Sequence, residues 1–267
     1  MNREQTGQLD RTRDRFTRTA SAFADFVLAN RRAEAEKLAS MVAPRKTEVA
    51  LDFACGPGTL ARSFAPLVRW ICGVDVTPAM LERARQMARE EKLGNFGCCC
   101  GDATALPFAA GSVDVTVGSY CLHHIGDPAG VIREMARALR PGGRLGLLDI
   151  VVPADPDRAE WNNRIERVRD GSHTRTLSSE EMRRMAEEAG LKIRASEHEK
   201  HPRSYRKWMN VAGWKPGDAA YEEGWRLLES SIEGDRAGFE PRITVDLEGD
   251  RDIEIIQKAH FLVAGKP

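Results

Sequence analysis

Apolar positions along this chain follow two periods, and the change from one to the other marks out its elements. Between Leu9 and Val42 the residues Phe16, Ala20, Phe23, Val27 and Leu38 recur amid Arg and Glu at roughly the three-to-four spacing of an amphipathic helix. Pro44 ends that region. From Val49 onward short apolar runs alternate with helical patterns. The runs predict strands near Val49–Phe53, Trp70–Asp75, Phe96–Gly101, Val113–Ser119 and Arg144–Val152. Helices are expected between them over Leu60–Leu67, Pro78–Lys92 and Pro128–Leu139. Thr77 before Pro78 reads as an N-cap ahead of a first-turn proline, and Arg140-Pro141-Gly142-Gly143 reads as a helix stop and turn. Such alternation predicts a parallel sheet with helices on both faces.

The later part is less regular. A helix is expected over Asp155–Asp170, and a second from a start at Leu177 to Met182, capped by Ser178 or Ser179, to a stop at Ala189-Gly190. Leu191–Glu197 is strand-like. His201–Gly234 carries aromatics at helical spacing and reads as an insertion before the last strands, Ile243–Leu247 and Ile253–Val263, joined by the turn Gly249-Asp250. Three stretches follow: 1–44, an N-terminal helical region; 45–153, the regular core; and 154–267, the remaining strands with the insertion. The first is either a helix packed on the domain or a lid whose Phe16 and Phe23 close over a ligand; the lid is the expectation carried forward.

Composition narrows the classes. At 267 residues the chain is one large domain, or one with an elaboration. Its 40 basic and 40 acidic residues balance, so no overall field draws it to nucleic acid or an anionic membrane. Met1 to Arg15 is polar, and no run approaches the ~18 apolar residues of a membrane span, so a cytoplasmic protein is expected. A homodimer is compatible with all of this. The six cysteines, Cys55, Cys72, Cys98, Cys99, Cys100 and Cys121, include no C-x-x-C pair and read as reduced, packed thiols. Vicinal Cys98, Cys99 and Cys100 could instead bind a soft metal or metalloid; ordinary burial is preferred and no metal is expected.

The candidate chemistry lies where the first strand ends. Val49 to Ala61 runs as strand, Gly56-Pro57-Gly58 turn and helix start, and glycines there let backbone approach a ligand at positive φ. Asp75, Asp102 and Ser119 close the next strands, on the edge where an open α/β sheet places its ligands. Gly56-x-Gly58-x-x-Ala61 with Asp75 about twenty residues on also satisfies a relaxed dinucleotide fingerprint. Asp52 opposes that reading, because a carboxylate beneath the loop repels a pyrophosphate and attracts an ammonium.

Four motifs in order, Leu51-Asp52-x-x-Cys55-Gly56-x-Gly58, Gly73-Val74-Asp75-Val76-x-Pro78-x-Met80-Leu81, Gly101-Asp102-Ala103-x-x-Leu106-Pro107-Phe108 and Leu139-Arg140-Pro141-Gly142-Gly143, resemble those of class I S-adenosylmethionine-dependent methyltransferases. The branch is similar to the ubiquinone/menaquinone-biosynthesis type, and the resemblance covers about residues 45–152. It implies an α/β three-layer sandwich with a seven-stranded, mostly parallel sheet whose last strand is antiparallel. It also implies S-adenosylmethionine as cofactor, with Asp52, Ala54, Gly56 and Gly58 at the methionine end, Asp75 on the ribose, Val76 and Met80 against the adenine, Asp102 and Ala103 on its edge, and Ser119 near the amino-acid end. Ala54 and Pro57 stand where the family more often has Gly and Thr.

The sulfonium of such a cofactor makes its methyl electrophilic, so in-line placement of a nucleophile can supply about 7–11 kcal/mol of the barrier. A base is needed only if the nucleophile carries a proton. Tyr120, His123 and His124 follow the fourth strand, facing the methyl, and either histidine suits the task; they could equally pack the loop, and a metal on the pair would need further ligands. Trp161, His173, Tyr205, Trp208 and Trp214 lie where such enzymes keep substrate-recognising insertions and read equally as core or pocket, and Arg203, Tyr205, Arg206 and Lys207 form a basic cluster that is solvated surface or a seat for an acidic substrate. The expected activity is methylation of a small molecule. RNA or protein methylation and a catalytically silent cofactor-binding module are the alternatives; Ser119-Tyr120-Cys121-Leu122 stands where amine-methylating nucleic-acid enzymes carry Asn/Asp-Pro-Pro-aromatic.

Overall fold

The structure is a computed structural model and describes residues 3–245 and 249–267. Helices α1 (Arg3–Asn30) and α2 (Arg32–Val42) precede the alternating core of β1 (Val49–Phe53), α3 (Thr59–Phe64), β2 (Trp70–Asp75), α4 (Pro78–Glu90), β3 (Phe96–Cys100), β4 (Val113–Ser119), α5 (Pro128–Ala138) and β5 (Leu139–Val151). After it come α6 (Pro156–Arg169), α7 (Ser179–Glu188), β6 (Lys192–Ser204), α8 (Tyr205–Val211), α9 (Ala219–Glu229), β7 (Arg242–Val245) and β8 (Arg251–Gly265).

One mixed sheet runs in the order β3-β2-β1-β4-β5-β8-β6. Strands β1 to β5 pair in parallel, and β8 is antiparallel to both β5 and β6. Seven strands with the last reversed match the expected sheet. An eighth, β7, pairs with the first residues of β8, beyond the point where β5 ends. The expected Ile243–Leu247 strand reaches only Val245 within the described residues, and 246–247 lie outside them.

Side chains of β1 alternate between two apolar layers, as a strand's period of two requires. Ala50 joins Leu38, Leu60, Phe64 and Ile71 under α2 and α3, whereas Leu51 and Phe53 join Val131, Ile132, Met135 and Met182 under α5 and α7. A third cluster of Tyr205, Trp208, Met209, Tyr221, Leu228 and Ile253 gives the C-terminal insertion its own core.

Several boundaries differ from the sequence reading. Helix α3 stops at Phe64 and a 3₁₀ turn, Ala65–Leu67, takes over, because Pro66 has no N–H to continue the ladder. Thr77 occupies the N-cap of α4 but its side chain makes no capping bond. Helix α5 stops at Ala138, before Arg140, as expected, but the Pro-Gly-Gly turn after it is a bulge inside β5: Leu139 pairs with Val113, the register shifts, and pairing resumes at Val115 with Arg144 while Gly142 takes φ 76°. Strand β6 continues past the expected Glu197 to Ser204, absorbing His201, Pro202 and Arg203, which the sequence assigns to the helical insertion. Its residues are mostly exposed or half-buried, so it carries little apolar alternation, and a proline is tolerated on such an edge. Ser178 caps α7 and completes a capping box with Glu181.

The three vicinal cysteines separate. Cys98 Sγ contacts the Leu81 carbonyl oxygen and Cys100 Sγ that of Val76, each at 3.8 Å, while Cys99 packs beside Cys72 on the other layer. Burial, followed by the neighbouring Cys99, pushes the Cys72 thiol up to about 12. Among the described residues no His, Cys, Asp and Glu group is arranged to hold a metal ion, and no helix is long and apolar enough to cross a membrane.

Candidate active site

The loop after β1 is built on three left-handed residues, Ala54 at φ 46°, Gly56 at 51° and Gly58 at 89°. Cys55 N–H donates to the Val74 carbonyl at 3.0 Å and Gly58 N–H to that of Cys55 at 3.0 Å, which ties the loop across β2. The two glycines do different work. A Cβ on Gly58 would stand 2.4 Å from Met87 Cε of α4, the movable end of a flexible side chain, so it is the φ of 89° that calls for glycine there. A Cβ on Gly56 would meet nothing within 4 Å: the space above it is open.

Asp75 closes β2 against this loop. Its Oδ2 accepts Gly56 N–H at 2.9 Å and its Oδ1 accepts Thr77 N–H at 2.8 Å. Burial raises its pKa, against the pull of those same N–H groups. Each oxygen keeps a further lone pair for a ligand hydroxyl. Asp102 accepts Thr104 N–H and Oγ1–H on Oδ1, both at 2.8 Å, and its Oδ2 accepts nothing among the described residues.

A cavity of about 570 Å³ lies over these strand ends. Ala54, Gly56, Asp75, Val76, Met80, Asp102, Ala103, Ser119, Tyr120 and His124 all face it, and α1 roofs it with Phe16, Phe23 and Val27. The structure thus brings together most of the sequence-predicted residues. Asp52 and Gly58 are off its wall. Asp52 is 1% exposed, beneath the loop, and its Oδ2 has no hydrogen-bond partner among the described residues. Burial, then the charge of Asp75, lifts its pKa well above the ordinary range.

A second compartment of about 370 Å³ adjoins the first. The two share Phe16, Phe23, Val27, Arg31, Tyr120 and His124. Tyr120, at φ 51°, donates its N–H to Leu148 O at 2.8 Å, and the Arg31 guanidinium lies 3.9 Å over its ring. Its buried hydroxyl lacks a well-formed hydrogen bond among the described residues, and burial raises its pKa strongly.

His123 faces only the second compartment. Its Nδ1 lies 2.6 Å from Asp149 Oδ1, while Asp149 Oδ2 accepts the N–H groups of Cys121 at 3.1 Å and Leu122 at 2.8 Å. Burial opposes ionisation of His123, but Asp149 outweighs it and the pKa is raised. His124 is opposite in character. Its Nδ1 meets Ser172 Oγ at 3.1 Å and O at 3.3 Å, and burial followed by the nearby His123 lowers it to about 3. His173 bonds Asn163 Oδ1 at 2.8 Å and is lowered to about 2, by burial and then by His123.

The helical roof is fastened to this same turn. Gln8 Nε2 donates to Ser172 O at 2.7 Å and His124 O at 3.1 Å, Arg15 reaches Asp170 at 3.4 Å, and Phe16 meets His124 edge-on at 5.1 Å. Sequence reasoning missed Gln8, Asp149 and Asp170. Asp149 was detectable as the one carboxylate in Leu147-Leu148-Asp149-Ile150-Val151. The basic cluster divides: Arg203 and Lys207 line the second compartment, beside Trp208, Tyr205 is core and donates to Tyr221 O at 2.6 Å, and Arg206 reaches Asp250 and Arg251. Of the other tryptophans, Trp161 lies under Arg236 and Trp214 bonds Arg169 O at the surface.

Residues 51–147 match the family described as Methyltransferase domain. The chain is similar to an uncharacterized methyltransferase, YcgJ, of Bacillus subtilis: 34% identical over 184 residues, which is 68% of this chain and 73% of that one. The crystal structure of YcgJ superposes with a TM-score of 0.80 at 30% identity, covering 88% of this chain and 98% of that one. Shorter likenesses reach the ubiquinone/menaquinone biosynthesis C-methyltransferase UbiE of Dinoroseobacter shibae, 38% over 112 residues (40% and 44% of the two chains), and 27-O-demethylrifamycin SV methyltransferase of Amycolatopsis mediterranei, 32% over 166 residues (61% and 60%).

Proposed function

Since this chain belongs to the class I S-adenosylmethionine-dependent methyltransferases, enzymes whose cofactor is S-adenosylmethionine, we propose that it methylates a small-molecule acceptor held in the second compartment. The observation that carries the reading is the pair of adjoining cavities, of about 570 and 370 Å³, joined at Tyr120, His124 and the two phenylalanines of α1. Both lie in the size range of small-molecule sites.

The residues of the larger cavity suit the cofactor. Open space above Gly56 accepts its amino-acid end, Asp75 offers lone pairs to vicinal hydroxyls, Val76 and Met80 offer an apolar wall to a base, and Asp102 with Ala103 offers an acceptor and an N–H to its edge. Asp52, buried below the loop with no partner for its Oδ2 among the described residues, acts on the methionine end through the loop and not by contact. When bound, the cofactor supplies an electrophilic methyl group. Tyr120 and His124 frame the passage through which an acceptor atom would approach it, and Phe16 and Phe23 exclude water while α1 serves as a lid. Displacement in line by a prepositioned nucleophile can remove about 7–11 kcal/mol of barrier.

For an acceptor that carries a proton, His123 is the better base. Asp149 fixes Nδ1–H and leaves Nε2 to take the proton, whereas His124 is too weakly basic to hold one at neutral pH. Incubation with S-adenosylmethionine and a panel of small phenols, enols, thiols and amines tests the reading: S-adenosylhomocysteine should form with a mass gain of one methyl on an acceptor. Tight cofactor binding with no turnover on any of them, but turnover on RNA or a protein, would contradict it.

The cover over the second compartment also speaks against RNA as the acceptor. It is enclosed on one side by α1, with Arg15 and Gln8 fastening it, which suits a ligand small enough to be covered.

A further inference from the structure

The second compartment is strongly and unequally charged. Three of its arginines are matched by carboxylates: Arg15 by Asp170 at 3.4 Å, Arg31 by Glu34 at 2.9 Å and Arg169 by Glu166 at 3.4 Å. Two cations are not. Arg203 spends its Nε on the neutral amide oxygen of Gln257 at 2.8 Å, and among the described residues neither Arg203 nor Lys207 has a carboxylate partner. Arg203 is half-buried on β6, so burial, followed by nearby Arg31, pushes its pKa down. Lys207 is exposed at the start of α8, on the rim of the compartment. The wall of the compartment also carries apolar surface, with Phe23, Phe26, Val211 and Trp208.

A guanidinium turned into a half-buried apolar cavity without a counter-ion is costly unless something else supplies the charge. Structural arginines in this same compartment each have their own carboxylate, which makes the exception at Arg203 informative. Building on the methyltransferase reading above, we propose that the acceptor is an anionic small molecule, its acidic group seated on Arg203 and Lys207 and its apolar body laid along Phe26 and Trp208, with the nucleophilic atom at the Tyr120 passage. Arg203's free fork matches either a carboxylate or a phosphate-type oxyanion. The one carboxylate on the wall among the described residues, Asp170, is already held by Arg15 and Ser172.

The test uses one phenolic body with three heads: 4-hydroxyphenylacetate, 4-hydroxybenzylphosphonate and the neutral 4-hydroxyphenylacetamide. Each is titrated calorimetrically into the full-length protein saturated with S-adenosylhomocysteine. At least one anionic ligand should bind about ten-fold or more tightly than the amide, and whichever does so identifies the head as carboxylate or phosphonate. Arg203→Gln and Lys207→Gln should each reduce that preference, and added salt should weaken it, while S-adenosylhomocysteine affinity stays at the wild-type value. Arg206→Gln, on the outward face of α8, should keep the preference. Equal binding of all three heads, or a preference that survives the double variant Arg203→Gln/Lys207→Gln, would overturn the proposal. Loss of S-adenosylhomocysteine affinity in those variants would overturn it too, by assigning the cations to that ligand's own carboxylate. Failure of the wild-type protein to bind S-adenosylhomocysteine at all would instead undo the cofactor reading beneath it.

Discussion

At His123 two opposed effects meet in one side chain: burial disfavours the imidazolium, and Asp149 at 2.6 Å favours it more. The net direction is upward, so His123 as base must lose a proton it holds more tightly than an ordinary imidazole. Turnover of a phenolic acceptor should therefore rise with pH through an ionisation above ~6.5. In Asp149→Asn that inflection should move down and the rate fall; in His124→Gln the inflection should stay, because His124, lowered to about 3, is already neutral. Profiles of kcat/KM against pH separate the two, and an inflection that moves with His124 instead would reverse the assignment. Ala54 offers a backbone test. It holds φ 46°, a conformation that costs a non-glycine residue about 1 kcal/mol or more. Ala54→Gly should leave stability unchanged or raise it by up to ~1 kcal/mol despite the added freedom of the unfolded chain, measured by urea denaturation; a marked loss would contradict this. Asp75 and Asp102 were legible in the sequence because a carboxylate ending an apolar run stands out. Asp149 was visible as a lone carboxylate within such a run, but its role was not, since that depends on a histidine 26 positions away.

Helix α1 is an element whose role its own sequence left open between packing and cover. Its contacts favour cover: the phenylalanines reach into both compartments, and its polar anchors, Gln8 and Arg15, grip the turn that carries His124, Asp170 and Ser172. Gln8→Leu combined with Arg15→Leu removes the two hydrogen bonds and the ion pair that join α1 to this turn, each worth about 0.5–1.5 kcal/mol. Dissociation of S-adenosylhomocysteine should then quicken about ten-fold in stopped-flow measurements while the unfolding midpoint of the sheet moves little. An unchanged off-rate would make α1 a packing helix. The elements that the sequence predicted well share a physical signature. Strands β1, β2 and β4 are largely buried and read as short, mostly apolar runs, and α7 announces itself by its capping box. What was misjudged lacks that signature: β6 is a polar edge whose pairing with β8 decides its state, and the Pro-Gly-Gly signal marks a bulge because the ladder with β4 resumes on its far side.

The whole molecule inherits a pH dependence from its buried imidazoles. His124 and His173, lowered to about 3 and 2, stay neutral in the native state, whereas the unfolded chain protonates them near 6.5. A depressed histidine contributes stability that is complete above that value and is lost as pH falls toward the folded pKa. Asp170, held below the ordinary carboxylate range although burial works against it, by His124 and Arg15, adds to the loss at lower pH. His123 has the opposite sign, its contribution being present in acid and lost as pH rises through its elevated value. Net stability should drop between pH 6.5 and 4 by up to ~1.4 kcal/mol per pH unit for each neutral histidine. His173→Phe should flatten the slope in urea titrations, and an unaltered slope would contradict a neutral His173 in the native state. All of the chemistry above presupposes one placement: a sulfonium nucleoside across the strand ends with its sugar on Asp75, whose two oxygens are fixed by Gly56 and Thr77. Calorimetric titration of S-adenosylhomocysteine into the wild-type protein and Asp75→Ala tests it most directly. Saturable one-to-one binding that weakens about a hundred-fold in the variant, as the loss of two charge-assisted hydrogen bonds demands, is the expected result; equal affinity in both proteins, or no heat in the wild type, would contradict it.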